Sequence, residues 1–405
     1  MSSAPSFSGT IYTDDDLREA RLVWTELERR YAPGWFANPR GLLVGLFEAN
    51  SLHAACVLIE IAMTLTVVHR NLTAKSVPVF KTKVASLLTA KDEKTFDELL
   101  TEMLVAATLV QSVSPIAFEP YVPANACGRQ PASSDYAIWL PDGPVAIEVT
   151  VLYVGQLEKW ERRVRRIRDI LRNKILATTG IYRDVELELP LDFVPKLGAK
   201  LAERGVTNEI MRNEHGELLL AVGQQVARLR WRPMPVYERA TFNPSCVPAE
   251  TNAMAVAGGG AAATKNGFGF TYRPIDDPQQ FEKLMFASLR NTLERKRDQF
   301  RGKNERYVLV LKLGHHRMPA EGLHDLFRAR IWPNKAYGWI TCFANFQPRR
   351  QYTPDSPGPS LTAQVNPNGA PQAGPKLSAL LNGEEGFHAP RKAQGNLSAS
   401  PRPGE

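Results

Sequence analysis

Asp135, Glu148 and Thr150 are the residues of this chain whose types and spacing suit hydrolytic chemistry. Glu148 and Thr150 lie in the run Val-Ala-Ile-Glu-Val-Thr-Val-Leu, residues 145–152. Side chains alternate across a strand, so Glu148 and Thr150 share one face while Ile147, Val149 and Val151 share the other. A carboxylate in so apolar a strand is costly to bury unless it binds something. Pro141-Asp142-Gly143 is a turn signal, and a hairpin through it returns Asp135 toward Glu148. Two converging carboxylates make a hard-oxygen site that suits Mg²⁺ or Mn²⁺, with water in the remaining positions. Such an ion polarises a phosphodiester and lowers the pKa of an attacking water.

The elements that must position these residues are legible as changes of period. Residues 14–30, 42–68, 77–88 and 96–110 carry apolar residues at helical spacing. Three aspartates, Asp14 to Asp16, suit the N-terminus of the first helix. Residues 115–121, 135–140 and 145–151 are short, β-rich and bounded by turn residues. A charged helix over 156–178 follows, then strands at 185–189, 218–222 and 226–231. Residues 248–269 are an Ala/Gly-rich insert read as a flexible loop. A helix at 279–300, a strand at 307–313, a short helix at 322–329 and a strand at 338–346 complete a β–α–β run. Residues 351–405 are rich in Pro, Gly, Ser, Asn and Ala and are expected to be mostly disordered, apart from a helical turn at 376–381.

With this context, Asp135-x12-Glu148-x-Thr150 resembles the PD-(D/E)XK nuclease motif, in which an Asp precedes a Glu-x-Lys on the next strand. That family's core runs helix, three antiparallel strands, helix, strand. The matching elements are 96–110, the three strands ending at 151, 156–178 and a later strand. The resemblance spans at most residues 96–346, with its motif-bearing part in 96–178. It implies an α/β fold in which a central mixed sheet is flanked by helices, a restriction-endonuclease-like core. It also implies Mg²⁺-dependent cleavage of phosphodiester bonds, in DNA before RNA. Asp135 and Glu148 would be the metal ligands. Glu102 is the matching acid on the first helix, with Glu98 the second choice. Thr150 stands where the family has its lysine, which normally positions water and stabilises developing charge. Lys159 or Gln156, or else Lys296 or Gln299, would have to substitute. Without a substitute, the implied protein binds nucleic acid or serves an assembly on the same fold without cutting.

The bulk numbers agree with an anionic partner. The chain has 405 residues, 43% of them hydrophobic, and a net charge of +8. Residues 156–178 hold eight basic against three acidic side chains. Arg162, Arg163 and Arg166 are the candidates there for phosphate contacts. The same helix also reads as a solvated face laced with pairs such as Glu158–Arg162 and Glu161–Arg165. Arg228, Arg230 and Arg232 alternate on a strand and extend the basic surface. No phosphate-loop or dinucleotide-binding glycine motif is present, and no serine-hydrolase elbow. His315-His316 follows a strand and carries little weight as a ligand pair. The four cysteines show no CxxC spacing, so neither a zinc signature nor a disulfide framework is expected. Residues 1–13 lack the pattern of a secretory signal. Residues 51–68 are apolar but carry His53 and Glu60, and a charge at the centre of a membrane span costs roughly 3 kcal/mol. A buried helix of a cytoplasmic protein is the expectation, with no membrane partner; homodimerisation is left open. The expected layout is an N-terminal helical region (1–92), an α/β core (93–348) with its insert at 248–269, and a disordered tail (349–405).

Overall fold

Thr13 starts the first helix through a capping box. Its hydroxyl accepts from the Asp16 N–H at 3.2 Å, while its own N–H donates to the Asp16 carboxylate at 2.6 Å. From there the computed structural model describes residues 14–48, 52–110, 115–119, 134–140, 143–177, 182–233, 267–274, 278–300, 306–313, 320–349, 351–369 and 374–382, besides residues 7 and 9–13. The elements in chain order are α1 (Asp14–Tyr31), α2 (Leu43–Glu48), α3 (Leu52–Arg70), α4 (Val77–Thr89), α5 (Glu93–Val110), β1 (Ala117–Phe118), β2 (Tyr136–Leu140) and β3 (Gly143–Leu152). Then come α6 (Gly155–Leu176), β4 (Tyr182–Leu189), α7 (Pro195–Leu201), α8 (Arg204–Arg212), β5 (Gly216–Val222), β6 (Gln225–Pro233), β7 (Gly267–Pro274) and α9 (Pro278–Phe300). The last are β8 (Arg306–Leu313), α10 (Ala320–Leu326), β9 (Cys342–Gln347), β10 (Ser360–Val365) and α11 (Gly374–Asn382).

Two compact units emerge. The first comprises Met1–Leu152, Glu238–Val247 and Asn291–Glu405; the second comprises Tyr153–Tyr237 and Pro248–Arg290. In the chain, the second unit thus falls between β3 and β8. The last ten residues of α9 belong to the first unit.

The first unit is built on a six-stranded mixed sheet in the order β1-β2-β3-β8-β9-β10. β1, β2 and β3 pair antiparallel, and β8 lies parallel to β3. The expected central mixed sheet flanked by helices is therefore present. Ile147 and Val149 of β3 join Val308 and Val310 of β8 in one core with Trp24, Leu58, Ile59, Phe80 and Met103 from the N-terminal helices. The N-terminal helical region consequently shares its core with the sheet. Trp24 is fully buried, and its indole N–H donates to the Leu58 carbonyl at 3.0 Å, which locks α1 to α3.

α3 is, among the described residues, the one helix long and apolar enough to cross a membrane by length and composition, and 56% of that apolar window is buried inside the protein. Glu60 in its midst is accounted for. It accepts from the Tyr352 hydroxyl at 2.8 Å and lies 3.4 Å from Arg349. Those partners sit beyond β9, in the stretch expected to be disordered. The helical turn expected at 376–381 is present as α11, whereas the strand β10 was not foreseen. β10 pairs with β9 along its whole length, and Leu361 and Ala363 are buried at alternate positions. α11 then buries Leu377 and Leu381 in the same core. A Pro/Gly/Ser-rich composition hid a short edge strand that the sheet itself stabilises.

The second unit is a four-stranded sheet in the order β5-β6-β4-β7, with helices α6, α7 and α8. β7 runs parallel to β4 and begins at Gly267, inside the span read as a flexible loop. Residues 248–266 of that insert lie outside the described residues, as does His315-His316. Gly216 opens β5 opposite Trp231 of β6, so close that a Cβ there would sit inside the indole ring.

Candidate functional site

The hairpin does what the spacing asked of it. β2 and β3 pair with Leu140 opposite Gly143 and Tyr136 opposite Ile147, so one further step places Asp135 opposite Glu148. Asp135 precedes β2, and its carboxylate accepts the Val149 N–H at 2.8 Å. That bond extends the ladder by one rung and pins Asp135 beside Glu148.

Glu148 is buried, with a side chain 4% exposed. Its Oε1 accepts from the Lys296 ammonium, which arrives from the last turns of α9. Its Oε2 is buried and meets no hydrogen-bond donor among the described residues. Two residues on, Thr150 Oγ1 is buried and equally without a partner. Leaving such an atom unsatisfied costs roughly 1–3 kcal/mol, more for a charged group, so two on one strand face mark a place for something to bind.

Glu102 lies on α5, which is held to the sheet by the Tyr136 hydroxyl donating to the Glu102 carbonyl and by the Lys312–Asp97 ion pair. Its carboxylate does not stand alone. Lys83 of α4 donates to Glu102 Oε2 at 2.6 Å and reaches Glu119 Oε1 at 2.9 Å. Glu119 in turn donates its backbone N–H to the Asp135 carbonyl at 2.9 Å and holds φ at +41°, a left-handed conformation that side chains other than glycine seldom adopt. Four carboxyls and two ammonium groups therefore share one electrostatic neighbourhood.

The titration of the site follows from this crowding. Burial pushes Glu148 up to about 8; Asp135 adds to the rise and Lys296 opposes it. Burial and then Asp135 push Glu102 up to about 7 against the pull of Lys83. Asp135 is raised by burial, with Lys83 and the Val149 N–H pulling it down. Burial pulls the Lys83 ammonium down, yet Glu102 and Glu119 outweigh it and hold the group above its usual range.

The sign for stability is set by proton counting. A carboxyl raised in the fold keeps its proton after the unfolded chain has lost it, so the native state binds more protons between about pH 4.5 and 8. Stability should therefore be greatest near pH 4.5 from these groups and fall as pH rises through that window, by a few kcal/mol in order of magnitude. Denaturant unfolding at pH 5, 6.5 and 8 measures this, and Glu148→Gln should flatten the upper half. A slope that Glu148→Gln leaves unchanged would refute the assignment.

Lys159, Arg162, Arg163 and Arg166 lie on α6, in the second unit. Of the candidates for the place of the motif lysine, Lys296 is the one whose ammonium contacts Glu148. Arg163 is committed locally, with its guanidinium 3.8 Å above the Phe193 ring and donating to the Phe193 carbonyl. Arg162 and Arg166 are exposed. Arg228 and Arg230 pair with Glu188 and Glu217, and Arg232 with Asp184, so that strand is a charge-balanced surface and no bare basic stripe. The Glu161–Arg165 pair forms at 3.7 Å.

Lys83 and Glu119 were missed by sequence reasoning. A signal existed for Lys83: it lies three residues after Phe80 and four before Leu87, on the apolar stripe of α4. Glu119 gives no such sign, because its role depends on the fold around it.

No group of three or more His, Cys, Asp or Glu side chains is placed to hold a metal ion among the described residues. The pair Asp135 and Glu148, with the orphaned Glu148 Oε2, still fits a hard divalent ion that keeps several waters. Compared with known protein families, curated proteins and solved structures, the chain matches none. Fold and site thus define its class as a mixed α/β protein with a buried acid–lysine centre on the middle of its sheet.

Proposed function

We propose that this protein is a Mg²⁺- or Mn²⁺-dependent nuclease-like hydrolase acting on phosphodiester bonds, DNA before RNA, in the cytoplasm. The observation that carries this reading is the buried, unpartnered Glu148 Oε2 beside Asp135, with an ammonium on the other oxygen of the same carboxylate. Asp135 and Glu148 would hold the ion. When bound, the ion polarises the phosphodiester and lowers the pKa of the attacking water. Lys296 supplies the positive charge that Thr150 lacks, and faces negative charge developing on the phosphate oxygens. Thr150 Oγ1 orients a water through the hydrogen bond it does not make within the protein. Glu102 is held back from direct ligation by Lys83.

A second reading is supported by the same ion pairs. Lys296 and Lys83 already neutralise Glu148 and Glu102, which suits a protein that binds nucleic acid or serves an assembly without cutting. Incubation of the full chain with plasmid, linear duplex, single-stranded DNA and RNA, in Mg²⁺ and then Mn²⁺, separates the two. Cleavage that EDTA abolishes is expected. Salt-sensitive binding with every substrate left intact favours the second reading.

A further inference from the structure

We infer that Lys83 is a built-in cation that fills one side of the acidic cluster, so that the centre admits a single divalent ion at Asp135 and Glu148 and refuses a second at Glu102 and Glu119. The inference rests on the metal reading given above. Lys83 Nζ bridges two carboxylates from different elements, at 2.6 Å from Glu102 Oε2 and 2.9 Å from Glu119 Oε1. That is the position a bridging metal ion would take between the same oxygens. The lysine side chain is 11% exposed, so its charge is weakly screened and cannot swing away into solvent without opening the helix packing. Glu119 is 43% exposed, so the cluster is reachable from solvent on that side. Access is therefore not what would keep a second ion out; the ammonium is.

The reason for a lysine here lies in the charge count. Glu102, Glu119, Asp135 and Glu148 bring four carboxyls into one neighbourhood, and each of the first three is felt by another. Lys296 balances Glu148 from one side and Lys83 balances Glu102 and Glu119 from the other. The orphaned Glu148 Oε2 is the oxygen of that carboxylate that Lys296 does not occupy, which leaves it for an exchangeable cation. A two-ion centre clamps both the attacking and the leaving oxygen of a phosphodiester, whereas a one-ion centre must leave one of them to a fixed group. Lys83 thus selects the number of ions without touching substrate.

Mn²⁺ titration of the full-length protein, with free Mn²⁺ followed by electron paramagnetic resonance, tests this without reference to cleavage. The unsubstituted protein should bind a single Mn²⁺, Glu148→Gln should bind none at that site, and Lys83→Met should gain a second, with the spin–spin broadening of a neighbouring pair. Lys83→Gln, which keeps a hydrogen-bond donor for Glu102, is the milder variant and carries the same expectation if Lys83→Met does not fold. A second ion in the unsubstituted protein, or no gain in either Lys83 variant, overturns the inference while leaving the metal reading in place. No Mn²⁺ binding at all, or binding indifferent to Glu148→Gln, overturns the metal reading and the inference with it.

Discussion

Glu148→Gln should reduce Mg²⁺-dependent cleavage by about a thousandfold or more, the scale set by loss of a preorganised electrostatic group, and leave the fold intact. The substitution keeps the shape of the side chain and its place on β3 but removes the charge that Asp135 alone cannot replace. It also relieves burial of an ionisable group whose carboxyl is pushed up to about 8. The variant should thus be no less stable than the parent above neutral pH, and the loss of cleavage cannot be ascribed to unfolding. Because the parent's Glu148 must give up a proton to bind a cation, metal affinity and cleavage should rise together between pH 7 and 9, with protons released on binding. Cleavage rates from pH 6 to 9, with unfolding curves alongside, measure both. Undiminished cutting by the variant would remove Glu148 from the centre and the nuclease reading with it.

Lys296→Met carries the second-largest expected effect. Lys296 is the ammonium bound to Glu148 Oε1. If it takes the part that the PD-(D/E)XK motif gives to its lysine, its loss should lower kcat by about a hundredfold or more. Mn²⁺ should still bind, since Lys296 occupies the oxygen turned away from the orphaned one. Removing one partner also leaves a buried carboxyl uncompensated, so Glu148 should titrate higher still and the pH profile of cleavage should move to more alkaline values. Lys296→Arg keeps the charge and should restore part of the rate. An unchanged kcat and pH profile would show that Lys296 is only a structural counter-ion. Lys159→Met serves as the control and should leave the pH profile in place.

The contrast between these two lysines shows where the sequence stopped being informative. Lys159 follows the motif strand closely, on the next helix, and was the natural substitute by proximity in the chain. Its helix belongs to the second unit, and the sequence carried no boundary signal at Tyr153, because β3 runs almost directly into α6. Lys296, the alternative candidate on the helix before β8, lies 148 residues beyond Glu148, and no local pattern ranks it above Lys159. Strand β10 went unread for a related reason. Residues 351–369 have little apolar content of their own, and β10 is held there by a sheet edge and a core built elsewhere in the chain.

What the sequence by itself determined is the hairpin and the faces of its second strand. A Pro-Asp-Gly turn signal and a period of two are local properties, so Asp135, Glu148 and Thr150 could be placed relative to one another from spacing alone, and the pairing of β2 with β3 agrees. What only the tertiary structure decided is the company these residues keep. Lys296 comes to Glu148 from α9, Lys83 to Glu102 and Glu119 from α4, and Glu119 to the Asp135 carbonyl from the end of β1. Each of these depends on packing between segments far apart in the chain, where long-range burial sets the distance and no short-range pattern records it.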